Sequence, residues 1–457
     1  MIFTQYYLDC LSQASYLVAD EASQQAVIID PRRDVADYLA EAQANDLTIV
    51  GVINTHFHAD FVSGHLELAQ ETGAWIGYGQ AAAPEFEFRP LADGDRISLG
   101  DVTLEIMETP GHTPESISVL VYEHADDATA YGVLTGDALF IGDVGRPDLL
   151  ASVGTTADEL GRQLYHSIQT KLMGLPDEVR VFPAHGAGSA CGKNLSTERQ
   201  STIGDQRRTN YACQPMSEEE FVAVVTEGQP TAPGYFLFNA TLNKQQRAVR
   251  EAQASVPALT DEQVADALAG GAIVHDARPT VEFSAGHLRD AVSVPADGRM
   301  AETAGMVFTP DQRLILMAPA GLEQDTATRL ARIGYDNVLG YIADAEGYLE
   351  RHAGEVVQAS RLRVDQLDDQ GADVQLVDIR NPGEVAAGMI PGATHIPLPQ
   401  LLTRTGELDS TRPIVLYCAG GWRSSVGASL LRSRGFGDVS DLLGGYGAWS
   451  VEHPVAS

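Results

Sequence analysis

His56, His58 and Asp60 stand one residue apart in the stretch Asn54-Thr55-His56-Phe57-His58-Ala59-Asp60-Phe61-Val62-Ser63-Gly64-His65. Two imidazoles and a carboxylate this close suit zinc, iron or manganese. The apolar run before them, Leu-Thr-Ile-Val-Gly-Val-Ile at residues 47–53, reads as a buried strand. The run from His65 reads as the start of a helix. The cluster is therefore expected on a strand-to-helix loop, at the carboxyl end of a strand, where open α/β folds place ligands. Strand alternation would send His56 and His58 to one face. Three later turns repeat the plan of an apolar strand running into a glycine-containing turn. They are Thr109-Pro110-Gly111-His112-Thr113, Thr135-Gly136-Asp137 and Pro183-Ala184-His185-Gly186. Glycine lets the backbone turn sharply enough to bring such side chains to one rim. The glycine-rich stretch after His185 holds Cys191 and Lys193, a thiol and a cation near the same rim.

A second chemistry is written in Cys418-Ala419-Gly420-Gly421-Trp422-Arg423, after the apolar run Ile414-Val415-Leu416-Tyr417 and before a helix expected to open at Ser424-Ser425. A cysteine where a strand enters a helix faces backbone amides and the positive helix end, which favour a thiolate. Gly420 and Gly421 let the loop curl into an amide cradle. Arg423 adds a fixed positive charge for a thiolate or an anionic sulfur substrate.

A chain of 457 residues is expected to form two to four domains. No apolar run approaches the roughly 18 residues of a membrane span. The first ten residues lack a basic segment, so no signal peptide and a cytoplasmic location are expected. Four scattered cysteines suggest no disulfide framework. The net charge of -33 argues against nucleic acid and anionic membranes as partners, and fits a solvated acidic surface. Asp34 is expected to cap a helix beginning at Val35. Residues 217–250 read as a connector, with a Ser217/Glu220 capping box and a break at Gln229-Pro230-Thr231-Ala232-Pro233-Gly234.

The second half repeats itself. Asp276 and Arg278 are echoed by Asp378 and Arg380, and Pro295 by Pro397, at one offset (378 − 276 = 397 − 295 = 102). Each copy alternates strand and helix, as small parallel-sheet domains do. Where the later copy has Cys418, the earlier reads Ala318-Pro319-Ala320-Gly321-Leu322. The boundaries expected are 1–250, 251–356 and 357–457.

The four histidine and aspartate turns resemble the metallo-β-lactamase fold, which implies an αββα sandwich with metal at one edge of its strands. Both later copies resemble rhodanese domains, by Asp-x-Arg and Glu-x-x-x-Gly-(His/Met)-(Ile/Leu), the first being degenerate with a packing or docking role. The fold class expected is α/β throughout. Family hydrolases such as glyoxalase II carry His-x-His-x-Asp-His and two metals; here Phe61 replaces the last histidine, which argues for one. The remaining pattern resembles persulfide dioxygenase. That resemblance implies one Fe(II) held by His56, His112 and Asp137, with His58, Asp60 and His185 as supporting groups. Gly142-Asp143-Val144-Gly145-Arg146-Pro147-Asp148 resembles that family too, which makes Arg146 a substrate-binding candidate. Lys193 could meet the anionic end of a thiol carrier, and Cys191 could accept or relay sulfur. Trp422 joins Gly420 and Gly421 as a lining residue of the rhodanese loop. The implied reaction partners are a low-molecular-weight thiol persulfide such as that of glutathione, O2 and sulfite; a homo-oligomer, dimer or tetramer, is expected. The alternative is a zinc-dependent thioester hydrolase of the glyoxalase II kind fused to a rhodanese. A non-catalytic sulfur-binding protein is a third reading, disfavoured by the presence of His56, His112, Asp137 and Cys418 together.

Overall fold

The computed structural model describes residues 1–149, 155–251, 255–371 and 373–453. The chain divides into two compact units, Met1–Gln229 with Phe236–Ala254, and Pro230–Tyr235 with Ser255–Ser457.

The first unit is built on two six-stranded sheets. One runs in chain order through Ile2–Leu8, Gln13–Asp20, Gln25–Ile29, Thr48–Ile53, Trp75–Gly79 and Arg89–Leu91. The other is ordered Ser201–Thr202, Arg180–Pro183, Gly132–Gly136, Ile117–Tyr122, Thr103–Glu108 and Arg96–Ser98. Alternate residues meet between the sheets: Tyr16, Val18, Val27, Ile29 and Ile53 from the first, and Leu104, Ile106, Val119, Val121 and Leu134 from the second. The intervening residues face helices. Leu17, Ala19, Ile28 and Val52 pack on Tyr38 and Leu68, from helices Ala36–Ala44 and His65–Thr72. Leu120, Val133 and Val181 pack on Leu164 and Phe221, from helices Ala157–His166 and Glu218–Thr226. Burial on both faces explains why the central strands read as continuous apolar runs. The result is the expected four-layer helix–sheet–sheet–helix sandwich.

Two local expectations are corrected. Helix Ala36–Ala44 has Val35, not Asp34, at its N-cap and no side-chain cap bond, and Asp34 lies 3.6 Å from Arg32 instead. The stretch read as a connector belongs largely to the first unit. Its Ser217/Glu220 capping box opens a core helix, and Asn243 and Arg247 fasten the loop of candidate metal ligands described below.

That fastening includes a buried ion network. Glu67, 1% exposed, accepts from Arg33 at 3.1 Å and from Arg247 at 2.6 and 2.8 Å. Burial works to raise the Glu67 carboxyl, but the Arg247 hydrogen bonds and the charges of Arg247 and Arg33 hold it below its usual value. Because the native value is depressed, its contribution is present above the ordinary glutamate range and lost as pH falls through the native value. Glu67→Gln leaves two buried guanidinium groups short of their counter-charge. It is expected to cost about 3–5 kcal/mol, read as a lower melting temperature of the first unit by calorimetry at pH 7, with the gap to wild type narrowing on acidification.

The second unit holds two parallel sheets. One is ordered Val292–Ser293, Ile273–Asp276, Leu314–Met317 and Val338–Tyr341. The other is ordered Ser360–Leu362, Val439–Leu442, Ile414–Tyr417, Gln375–Asp378 and Thr394–His395. Equivalent strands pair in the same register, Asp276 with Met317 and Asp378 with Tyr417. The repeated Asp-x-Arg does the same work in each. Arg278 closes on Asp276 (Nη2–Oδ2 2.6 Å) and on the Gly286 carbonyl; Arg380 closes on Asp378 (2.6 Å) and on the Gly388 carbonyl. These pairs are buried and tie each central strand to the helix that follows. No helix among the described residues is long and apolar enough to cross a membrane.

Candidate metal centre and sulfur-transfer loop

The metal-ligand turns sit at strand ends on one rim of the sandwich, cross-linked by backbone. The Ile117 amide donates to the Thr55 carbonyl at 2.9 Å and the Ala184 amide to the Gly136 carbonyl at 3.1 Å. Strand alternation is not what aims the histidines, because the strand ends at Ile53 and His56 and His58 lie in the loop beyond. They point to different partners.

His56, His112 and Asp137, all buried, bring one ligand atom each within 4.8 Å of one another. Asp137 Oδ2 lies 3.8 Å from His56 Nε2 and 3.5 Å from His112 Nε2, and it has no hydrogen-bond partner. With metal–ligand bonds of about 2.1 Å, neighbouring ligand atoms stand roughly 3.0–3.5 Å apart, so the trio fits a single ion with small adjustment.

Hydrogen bonds fix which nitrogen each imidazole offers. His112 Nδ1 lies 2.9 Å from the Arg146 carbonyl, which can only accept, so Nδ1 carries the proton and Nε2 the lone pair. Thr55 gives its one hydroxyl proton to Asp30 (2.9 Å) and therefore accepts from His56 Nδ1 (3.0 Å), which leaves His56 Nε2 as the ligand atom. Burial and neighbouring His58 lower the His56 pKa well below its ordinary value, which keeps the ring neutral as a ligand must be. Asp30 also receives the Thr55 amide at 2.7 Å and His58 Nε2 at 2.9 Å. His58 is thus turned toward Asp30, with its Nδ1 unpartnered.

Two glycines are required by close approach. A Cβ on Gly145 would sit 1.9 Å from the Asp137 carbonyl and 3.1 Å from His112 Nδ1; one on Gly136, at φ 53°, would meet Thr55 Oγ1 at 2.6 Å.

Asp60, His185 and Cys191 form a second buried group of possible ligands. His185, however, lies between two carboxylates, Nδ1 to Asp137 Oδ1 at 2.8 Å and Nε2 to Asp60 Oδ2 at 2.7 Å. Burial opposes its protonation, but Asp137 and Asp60 raise its pKa well above the usual value. Both ring nitrogens are thus engaged by carboxylates. Burial works to raise the Asp137 carboxyl; the charge and hydrogen bond of His185 prevail and hold it far below the ordinary range. Phe61, 1% exposed, lays its ring 4.3 Å from that of His58.

Two of the substrate-binding candidates are engaged within the protein. Lys193 Nζ donates to the carbonyls of Val224 and Glu227 and lies over the Tyr211 ring, so it caps a helix end and does not face the rim. Arg146 closes bidentately on Asp148 (2.7 Å twice) and reaches the Ala190 carbonyl; its side chain braces the loop while its own carbonyl orients His112. Cys191 does lie beside the carboxylates, and burial followed by Asp137 and Asp60 pushes its thiol pKa well up.

Asp30 and Asn243 escaped the sequence reading. Asn243 Nδ2 donates to the carbonyls of His58 and Phe61 (2.8 Å each), and its Oδ1 accepts the Ser63 amide at 2.9 Å. Asp30 had a signal, an acid ending an apolar strand before a proline; Asn243 had none. Asp30→Asn is expected to keep the fold and weaken metal binding about 10–100-fold, measured by chelator competition. An unchanged affinity would remove Asp30 from the site.

In the second unit Cys418, 1% exposed, follows strand Ile414–Tyr417, and helix Trp422–Ser433 opens two residues earlier than expected, behind Gly421 at φ 95°. The Gly421 amide donates to Cys418 Sγ at 3.1 Å, and Ser424 Oγ lies 3.6 Å away. Half-buried Trp422 is the first helical residue, and Gly420 stands beside it in the cradle. The Cys418 carbonyl accepts the Tyr446 amide at 2.7 Å. Arg423 is not a free cation: it pairs bidentately with Glu384 at 2.7 and 2.8 Å.

Comparison with known proteins matches residues 8–185 to the Metallo-beta-lactamase superfamily and residues 363–452 to the Rhodanese-like domain. The mitochondrial persulfide dioxygenase ETHE1 of Homo sapiens and that of Bos taurus are each 30% identical over 213 residues, 46% of this chain and 75% of theirs. A solved structure described as a metallo-beta-lactamase from Staphylococcus aureus is 32% identical and aligns with a TM-score of 0.67 over 74% of this chain and 98% of its own.

Proposed function

We propose a function from this premise: the chain belongs to the metallo-β-lactamase superfamily, with persulfide dioxygenases among its homologues, and ends in a rhodanese-like domain. The first unit oxidises the outer sulfur of a low-molecular-weight thiol persulfide, glutathione persulfide or a relative. The balance is R–S–SH + O2 + H2O → R–SH + SO3²⁻ + 2 H⁺. The outer sulfur gives up four electrons and O2 takes them.

The observation that carries this reading is the three-atom nest of His56 Nε2, His112 Nε2 and Asp137 Oδ2, two imidazoles and one carboxylate on one side of a point. Fe(II) held there supplies open positions and redox chemistry for a persulfide sulfur and O2. The chain's own part is positional. Thr55 and the Arg146 carbonyl hold the two ring tautomers, and Asp30 holds Thr55. His185 and Asp60 hold Asp137 by its other oxygen, leaving Oδ2 directed into the nest. Cys191, beside Asp60, is the candidate in this unit to accept or relay sulfur, against a thiol pKa that burial, Asp137 and Asp60 push up.

In the second unit Cys418 attacks a persulfide, taking its outer sulfur and releasing the thiol. Sulfite then takes that sulfur: Cys418–S–SH + SO3²⁻ → Cys418–SH + S2O3²⁻. Gly421 stabilises the Cys418 thiolate as leaving group. The domain division that goes with this reading is a dioxygenase domain to about residue 250, a cysteine-free rhodanese-like domain to 356, and the active one beyond.

The zinc hydrolase alternative needs a second ion at Asp60, His185 and Cys191. The carboxylates on both nitrogens of His185, and the ring of Phe61, count against it. Metal analysis of anaerobically purified protein with O2 uptake on glutathione persulfide decides. One iron per chain with stoichiometric sulfite is expected; two zincs per chain with thioester hydrolysis would overturn the assignment.

A further inference from the structure

The cation beside Cys418 already has a partner before any substrate arrives. Arg423, second residue of helix Trp422–Ser433, gives Nη1 and Nη2 to the two carboxylate oxygens of Glu384 at 2.8 and 2.7 Å. Two parallel charge-assisted bonds hold such a pair in one plane. Burial works to lower the Arg423 pKa, but the Glu384 bonds and charge, with Cys418 after them, hold it above its ordinary value. Burial works to raise the Glu384 carboxyl; the Arg423 bond leads the groups that hold it down. Both partners are therefore charged. Glu384 is also fixed from behind, since its Oε2 accepts the Asn381 amide at 3.0 Å in the capping box of helix Pro382–Ala386. The pair is only partly covered, with the Arg423 side chain 27% and that of Glu384 34% exposed, so an approaching solute meets both charges.

The cysteine-free copy shows which of the two belongs with the thiol. There Ala318 stands for Cys418 and Glu323 for Arg423, while Glu282 keeps the place of Glu384. Glu323 accepts the Gly321 amide at 2.8 Å, the counterpart of the Gly421 amide that faces Cys418 Sγ. The cation is lost together with the thiol, which marks Arg423 as part of the sulfur site. Whatever sets its effective charge then sets what that site accepts. Alone, Arg423 would draw in dianions such as thiosulfate. Paired with Glu384, the two charges sum to zero. The sulfur end of a thiol persulfide carries at most one negative charge and loses less by that neutralisation.

We propose that Glu384 is the specificity-determining residue of the Cys418 centre: by neutralising Arg423 it admits the outer sulfur of a thiol persulfide and turns away thiosulfate as a donor. This rests on the reading of Cys418 as a sulfur-transfer thiol. Glu384 acts through Arg423 and touches no reacting atom. The full chain is alkylated at about 0.15 M salt, where the distant acidic surface is screened but a charge beside the thiol is not. The probes are iodoacetate, an anion, and neutral iodoacetamide, and their rate ratio at Cys418 is read by peptide mass spectrometry. The ratio is expected to rise about tenfold in Glu384→Gln, to fall about tenfold in Arg423→Met, and to return near the wild-type value in the double variant, whose charges again sum to zero. Glutamine preserves the Asn381 cap, and Glu384→Asp, which keeps the charge, should stay near wild type. In turnover with cyanide as acceptor, Glu384→Gln should raise kcat/KM for thiosulfate about tenfold and move that for glutathione persulfide less than about threefold. An unchanged alkylation ratio in Glu384→Gln, or a double variant that behaves like Glu384→Gln alone, overturns the proposal. A shifted ratio in a protein that passes sulfur from neither donor would instead overturn the reading of Cys418 on which it rests.

Discussion

Asp137→Asn is expected to empty the metal nest and to reduce persulfide-dependent O2 uptake about a thousandfold, equivalent to roughly 4 kcal/mol of barrier. The substitution keeps shape and removes charge. Asp137 is the one anionic member of the trio; its Oδ1 is held by His185, and its Oδ2 has no hydrogen-bond partner and is left for an ion. A neutral amide there also leaves His185 with Asp60 as its sole charged partner. Metal content by mass spectrometry should fall from near one per chain toward zero. Sulfur transfer through Cys418 should persist, because it uses different residues in the other unit. Full O2 uptake in a metal-replete Asp137→Asn protein would show that the nest is not where oxidation occurs.

Cys418→Ala is expected to abolish sulfur transfer to sulfite while leaving sulfite production intact. Gly421 would lose its acceptor, yet the loop should hold. The middle copy supplies the precedent in the same chain, since Ala318 follows strand Leu314–Met317 and helix Glu323–Arg332 still forms beyond it. The readout is product partition: persulfide and O2 given to the variant should yield sulfite and thiol, with thiosulfate formed only at the uncatalysed rate. Wild-type thiosulfate formation by the variant would place the transfer elsewhere, Cys191 first.

What could be read directly from the residues was local. His56, His112 and Asp137 each follow an apolar strand within a short glycine-bearing turn, and the Cys418 loop lies within six consecutive residues. Tertiary partners were hidden. Asn243 fastens the His58 loop from 185 positions away, and no spacing rule connects them. Side-chain direction was hidden too. Lys193 looked available for an anion until Val224 and Glu227 accounted for its ammonium, and Arg423 looked unopposed until Glu384 faced it. The strand-face expectation for His56 and His58 failed because the strand stops at Ile53, after which loop hydrogen bonds set direction. The repeat was legible because its Asp-x-Arg pairs are buried and structural. The exchange of Arg423 for Glu323 was visible as letters, but its meaning depended on seeing Glu323 meet the Gly321 amide.

The chain leaves the first unit after Gln229 and rejoins it at Phe236, and the returning segment brings Asn243 and Arg247 to the loop that ends at Ser63 and Gly64. During synthesis, therefore, the candidate metal centre stays unfinished until those residues have cleared the ribosome, long after its histidines have emerged. A fragment terminated at the proline-rich break near residue 230 would hold every candidate iron ligand and still lack the clasp. Anyone expressing the first unit alone should carry the reading frame past Arg250.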